Sequence, residues 1–391
     1  LFNCDFEKNI YSGYVRIREV GTCNVDEKSY KKFFYNWVIN FIKFQSILKK
    51  LDIKYLFISD CVYHNFGLLF KTALLQNIKV VATIPYDQSG LIGGRVYLNA
   101  SNYFRETRNY LLSFTNKTLE EIQNNLKPNL INDFVQSRIN GNQKIFDGSY
   151  HRNTKKMTLN EIDLSFNKKI IFHKKILIAC HLLWDDSNSS YTTLYEDYEI
   201  WLSKTIDCAI INTNVLWIFK AHPSEIYLGT KRTIKDLFIE KNAFKYNNII
   251  LLEPDTIINT YSLISYVDSI ITVKGSIGFE AAMLGKGVIS AGTNAYSELG
   301  ISLEFENADL YENFLMTKIN DINLSQNEKN TILAKTYAYI YFVSKCPLSV
   351  FLSKYNFYNV VESGNIFTKI SNDDTIKKFT DKITSNYEGD L

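Results

Sequence analysis

Apolar residues recur along this chain in two alternating rhythms. In Tyr30 to Leu51 (YKKFFYNWVINFIKFQSILKKL) they fall at helical spacing, and KYLFISD (Lys54 to Asp60) compresses them into a short run that predicts a strand ending at Asp60. FGLLFKTALLQ predicts the next helix and IKVVATI (Ile78 to Ile84) the next strand. Strands alternating with helices of this length predict a parallel, doubly wound sheet. From about Asn99 to Asn167 the chain turns polar, with helical stretches at LEEIQNNL and NDFVQSRI, and reads as the remainder of this first domain and a connection.

A second series begins at KKILIACHLLWDD. It continues through a helix around YEDYEIWLSKTIDCAII, the strand NVLWIFKAHP, a helix near TIKDLFIEK and the strand NIILLEP. A short helix at INTYSLISY, the strand DSIITV, the helix SIGFEAAMLG and the strand GVISAG complete it. The fold class expected is therefore α/β with two Rossmann-like domains, at 1–165 and 166–330, followed by C-terminal helices over 331–391. In such sheets ligands lie beyond the carboxyl ends of the strands. WDDS, KAHPSE and KGSIGFE all fall at such ends in the second series.

Composition narrows the class. With 46% hydrophobic and 22% charged residues the chain is globular, and a net charge of +3 is too small to point to nucleic acid. The six cysteines are scattered without a C-x-x-C pair, which fits a reducing compartment, and the cytoplasm is the expected location. No apolar run approaches the ~20 residues of a membrane span. The chain begins at Leu1 without a Met or a signal-like segment, which reads as a piece of a longer protein.

The strand ends carry the candidate chemistry. In KGSIGFE, Gly275 and Gly278 permit close approach to the backbone, Ser276 and the helix start suit a phosphate, and Glu280 suits ribose hydroxyls. An ordinary turn with Ser276 as N-cap explains the same residues equally well. In KAHPSE, Pro223 fixes the backbone after His222, whose imidazole can donate to a phosphate as a cation or through one N–H, with Lys220 and Glu225 beside it. In LLWDDSNSSY, Trp184 can desolvate a neighbouring carboxylate, so Asp185 or Asp186 is a candidate nucleophile or base; an Asx-turn before a helix is the plainer explanation. In the first domain, Asp60 and His64, then Asp87, Gln88 and Arg95, lie near strand ends where an acceptor or an acidic sugar's carboxylate would arrive. His151, His173 and His181 show no metal-ligand spacing, and there is no H-E-x-x-H, G-x-G-x-x-G or Walker A motif, so no metal or cofactor is expected.

Taken together, WDDSNSSY, EDYEIWLSKTI, WIFKAHPSE and NTYSLISYVDSIITVKGSIGFEAAMLGKGVISAGTNAY resemble the bacterial capsule and lipopolysaccharide biosynthesis proteins that include the retaining β-Kdo transferases. NIYSGYVRIRE (Asn9 to Glu19) and ISDCVYHNFGLLFKTALLQNIKV are fainter echoes of the same family. The resemblance implies a GT-B-type arrangement with CMP-β-Kdo as donor, bound by the second domain, and a lipid-linked or polysaccharide glycan as acceptor. It implies His222 and Ser276 on the phosphate, Glu280 on the ribose, and Lys220, Ser262, Ile277 and Gly278 in the same nucleotide-sugar site. Asp185 would be the nucleophile of a double displacement. The family motif has one aspartate before the serine and this chain has two, so Asp186 is its rival. Contact with the inner membrane surface and further domains of a larger assembly protein are also implied. Bacterial sialyltransferases share the HP pair and the Ser/Gly turn, so an inverting CMP-sialic-acid enzyme is the alternative, with a non-catalytic assembly module behind it.

Overall fold

The two rhythms become two sheets. The computed structural model describes residues 6–58, 61–85, 92–97, 117–118, 120–121, 128–140, 154–166, 172–185, 193–342, 381, 384–385 and 389–390. Helices α1 (Phe6–Arg18) and α2 (Lys28–Lys50) precede strand β1 (Tyr55–Ile58), helix α3 (His64–Leu75), and strands β2 (Lys79–Pro85) and β3 (Ile92–Tyr97). β1 and β2 are parallel, as a helical crossover requires. β3 then runs back antiparallel to β2, so the first sheet is mixed where a parallel one was expected. Helix α3 is apolar on two sides. Phe70, Ala73 and Leu74 meet the sheet through Ile58, Val80 and Ala82, while Leu68 meets Trp37 and Phe41 of α2.

The second unit starts earlier than the apolar pattern suggests. Helices α4 (Pro128–Ile139) and α5 (Leu159–Phe166) contribute Phe134, Val135 and Ile162 to the core of the second sheet. Then follow β4 (Lys174–Ala179), α6 (Tyr198–Ile211), β5 (Val215–Lys220), α7 (Ser224–Tyr227), α8 (Ile234–Glu240), β6 (Ile249–Leu252), α9 (Thr260–Tyr266), β7 (Ser269–Thr272), α10 (Ile277–Ala282), β8 (Gly287–Ser290) and β9 (Leu303–Glu304). Helix α11 (Ala308–Asn313) and helix α12 (Glu328–Phe342) close this unit; α12 lies against α10 and α4. A last strand, β10 (Gly389–Asp390), returns to the first sheet and pairs antiparallel with β3.

All six strands of the second sheet are parallel, in the order β6-β5-β4-β7-β8-β9. Period-two alternation sorts their side chains onto two cores. Leu177, Leu216, Ile218 and Ile270 face α9, α10 and α12, while Ile176, Ile178, Trp217, Phe219 and Ile271 face α6 and α8. Burial on both faces explains why these strands read as continuous apolar runs. Caps set the helix starts: Asp197 accepts from the Ile200 N–H before α6, and Thr233 with Asp236 forms a capping box on α8. The chain leaves β4 on one side of the sheet and re-enters at β7 on the other, so the strand order reverses between these two neighbours. Such a switch point opens a crevice at the carboxyl ends of the strands.

Candidate active site

The crevice is present. A cleft of about 230 Å³ is lined by Cys180 and His181 after β4, His222 and Pro223 after β5, and the turn from Thr272 to Ile277 after β7, with Tyr261 and Arg138 on a further wall. That is far more room than one water requires, so the space suits an organic ligand.

The turn after β7 is held from within. His181 accepts from the backbone N–H groups of Val273 and Lys274, both at 3.4 Å, and Thr272 Oγ1 lies 3.2 Å from the same Nε2. An imidazole nitrogen that accepts from two amides carries no proton, so the ring is the neutral Nδ1–H form. Burial, then His222 and Lys274, bring its pKa down to about 3. The ring also stacks on Tyr198. His181 thus acts as a strut across the switch point. Thr272 Oγ1 accepts the Gly275 N–H at 3.3 Å. The amides of Ser276 and Ile277, residues that line the cleft, have no hydrogen-bond partner among the described residues.

The glycines serve packing. A Cβ on Gly278 would stand 1.9 Å from the Tyr296 hydroxyl, and one on Gly275 would stand 2.9 Å from Thr272 Oγ1. Tyr296 meanwhile donates to the Gly275 carbonyl at 3.1 Å. The close approach read from the sequence is therefore that of tyrosine and threonine side chains. Ser276 is not an N-cap in the usual sense: its backbone is already helical and its hydroxyl makes no cap bond. It donates instead to Glu280 at 2.9 Å.

Glu280 is saturated. Arg138 reaches its two oxygens through Nε (3.3 Å) and Nη2 (3.1 Å), and the Tyr261 hydroxyl and Ser276 add a donor each. Burial opposes its ionisation, but Arg138, Tyr261 and Ser276 outweigh that and hold the carboxyl below its usual range. Every lone-pair direction is taken, so the ribose contact expected of Glu280 would have to displace one of these donors.

The β5 end presents the opposite condition. His222 Nδ1 accepts from the Ser224 N–H at 3.2 Å, and burial, then Lys220, lower its pKa to about 4 against the opposing pull of Asp185. At neutral pH the ring is uncharged with its proton on Nε2. Of the two forms expected of His222, the single N–H donor is the one present. Lys220 is only 9% exposed; its carbonyl accepts the Cys180 N–H at 3.1 Å, its ammonium has no hydrogen bond or ion pair among the described residues, and it is not part of the cleft lining. Burial brings its pKa down to about 8. Glu225 points elsewhere: it accepts the Ile234 N–H at 3.2 Å, and burial raises its pKa to about 7. It secures the loop before α8.

Asp185 lies where the two units meet. Its Oδ1 accepts from Arg16 of α1 at 2.8 Å and from the Tyr63 hydroxyl, and the Arg16 guanidinium stands 3.8 Å over the Tyr63 ring. The turn is seated by Val15, Leu182 and Trp184, which form one apolar cluster, and by a Trp184–Thr230 hydrogen bond. Tyr11 donates to Asp197 at 2.8 Å, and Glu19 pairs with Lys231. The first helix is thereby fastened along the second unit beside the cleft. Asp185 is half exposed, and its charge raises the proton affinity of His222.

Other expected residues fall elsewhere. Ser262 accepts the Met157 N–H at 3.1 Å and so braces the segment before α5; it is not part of the cleft lining, where Thr260 and Tyr261 stand. Arg95 lies on β3 opposite Ala82. Asp60, Gln88 and Asp186 lie outside the described residues. Among the described residues no group of three or more His, Cys, Asp or Glu could hold a metal ion, and Cys23, Cys180 and Cys208 are free thiols.

Three residues of the site were not singled out for it from the sequence. Arg16 lies inside NIYSGYVRIRE, a segment singled out for its resemblance and not for that side chain. His181 follows KKILIAC directly, a strand-end position that metal-ligand spacing does not test. Arg138 gave no local signal, because its partner Glu280 is 142 residues away.

A family described as capsule polysaccharide biosynthesis protein matches residues 78–342. Among solved structures, the chain is similar to the Thermosulfurimonas dismutans KpsC beta Kdo 2,7 transferase, with 14% identity, coverage of 75% of this chain and 78% of that one, and a TM-score of 0.40. The beta Kdo 2,4 transferase of the same KpsC gives 12% identity, coverage of 72% and 78%, and a TM-score of 0.38. Neisseria meningitidis UDP-GlcNAc 2-epimerase bound to UDP-GlcNAc gives 13% identity, coverage of 84% and 87%, and a TM-score of 0.33. No curated protein matches the chain in sequence.

Proposed function

The chain belongs to the capsule polysaccharide biosynthesis protein family, and from that premise we propose that it is a retaining β-Kdo transferase using CMP-β-Kdo. One juxtaposition carries the reading. At a single sheet edge, two amides unpaired among the described residues and an uncharged histidine line the cleft, with the Lys220 ammonium acting on that histidine from outside the lining; so does the half-exposed carboxylate of Asp185. The amides and the histidine suit a phosphate that must depart with its electron pair. The carboxylate suits attack on the carbon it leaves.

In this reading an Asp185 oxygen bonds to the anomeric carbon as the bond to the CMP phosphate breaks. The acceptor hydroxyl then attacks the same carbon, the bond to Asp185 breaks with its electron pair returning to the carboxylate, the hydroxyl proton passes to solvent water, and two inversions restore the β configuration. Kdo carries its own carboxylate on the anomeric carbon, so a cation that neutralises it must stand next to the nucleophile. Arg16 is the cation found there. Ser276 contributes its amide, since its hydroxyl proton is committed to Glu280. Protein groups meet the donor's charge in this scheme, so a chelator leaves transfer unchanged.

The test is a donor screen with CMP-Kdo, CMP-sialic acid and UDP-sugars, followed by NMR of the product anomer and mass spectrometry of a slowed variant. A β-linked product and a Kdo adduct on the Trp184–Asp185–Asp186 peptide are expected. An inverted product with no adduct would reject the double displacement.

A further inference from the structure

Helix α2 is apolar on two opposite faces. Tyr30, Trp37, Phe41 and Leu48 recur at intervals of 7, 4 and 7 residues and are buried against α1 and α3. With 3.6 residues per turn, position 39 lies opposite that face and positions 35 and 42 lie roughly 140° and 120° round from it. These are Tyr35, Ile39 and Ile42, exposed by 66%, 49% and 59%. A helix packed against a core on one side ordinarily presents polar residues on the other. Here the outer face is a second apolar stripe.

Lysines flank that stripe. Lys32, Lys43 and Lys50 project from one side of it and Lys31 and Lys49 from the other, all exposed. The segment Lys28–Lys50 holds six lysines and no acidic residue. The entire chain is only +3, so this helix concentrates positive charge that the rest of the surface cancels. Asp26, before the helix, pairs with Lys31 and leaves the opposite flank untouched.

We infer that the outer face of α2 docks the protein on an anionic lipid bilayer. An apolar stripe between rows of lysine is what an interfacial helix offers: tyrosine and isoleucine enter the headgroup boundary while the ammonium groups meet lipid phosphates on either side. The charge selects the partner, since neutral apolar surfaces offer nothing to five exposed lysines. No helix among the described residues is long and apolar enough to cross a membrane, so attachment through α2 is attachment in the plane of the surface. The inference stands on α2 alone and does not depend on the donor sugar.

Flotation with phosphatidylcholine vesicles, with and without phosphatidylglycerol, tests it on the full chain. The protein should float with the anionic vesicles only and be released by salt. Reversing Lys32, Lys43 and Lys50 to Glu should weaken partitioning at least ~100-fold, at about fivefold per lysine. Changing Tyr35, Ile39 and Ile42 to Ser should weaken it about tenfold or more. All six are exposed, so thermal midpoints should stay near wild type and separate lost binding from lost folding. Failure to float, equal affinity for neutral vesicles, or variants that float like wild type would overturn the inference. So would sedimentation velocity showing a dimer that the Tyr35/Ile39/Ile42 variant dissolves, because the face would then serve self-association.

Discussion

Two carboxylates stand near the cleft of the second unit under opposite conditions. Glu280 sits in the first turns of α10, buried, with four donors drawn from three residues of its own unit. Asp185 sits on an open turn, half exposed, with one oxygen held by two residues that both come from the first unit. A carboxylate with every lone pair engaged is fixed and unreactive. One anchored through a single oxygen keeps the other for chemistry, and its aim depends on how the two units meet. The contrast separates an acid that builds the pocket from the one the proposed mechanism uses.

The sharpest way to break this comparison is to remove Asp185. Asp185→Ala should lower turnover about 10⁴-fold, or ~5.5 kcal/mol of transition-state stabilisation, with CMP affinity by calorimetry unchanged. Stability should move by no more than ~1 kcal/mol, because the ion pair lost is half exposed. Glu280→Ala should do the reverse. It leaves Arg138 buried without its partner, so chemical denaturation should show a loss of ~3–5 kcal/mol. An inactive but fully stable Glu280→Ala protein would put Glu280 in the chemistry and reverse the assignment.

Smaller effects sharpen the picture through pH. Lys220 titrates near 8 in the free protein, and a bound phosphate should raise that value by pairing with the ammonium. CMP affinity should therefore fall roughly tenfold between pH 8 and 9.5, where CMP itself no longer titrates, and Lys220→Gln should flatten the curve. The smallest effect belongs to Glu225. Burial raises its folded-state pKa to about 7, so the native state holds a proton that the unfolded chain releases near 4.5. Stability from this group is complete below 4.5 and is lost as pH rises towards and through 7. Glu225→Gln should recover on the order of 1 kcal/mol at pH 8, read from denaturation midpoints.

The second unit was legible because burial on both faces of a parallel sheet writes long apolar runs, and strand-end motifs then mark the crevice. The first sheet was less so. β3 runs antiparallel and β10 comes from the far end of the chain, and neither leaves a periodic trace in the residues between. The placement of α4 and α5 with the second sheet was likewise hidden, since polar segments reveal no partner. In the cleft, sequence reasoning found the residue types at 222, 276 and 280 but not their commitments. Ser276 and Glu280 bond to each other, and Gly278 makes room for Tyr296, because tertiary packing spends hydrogen bonds and space in ways local spacing does not record.

The return of β10 to the first sheet bears on how the lobes can move. The backbone passes from first lobe to second between β3 and α4, and passes back between α12 and β10. Two covalent crossings restrict displacement of one unit against the other more than a single crossing would. Arg16 and Tyr63, both of the first unit, hold Asp185 of the second, so any displacement of one unit against the other acts on that carboxylate through both donors at once.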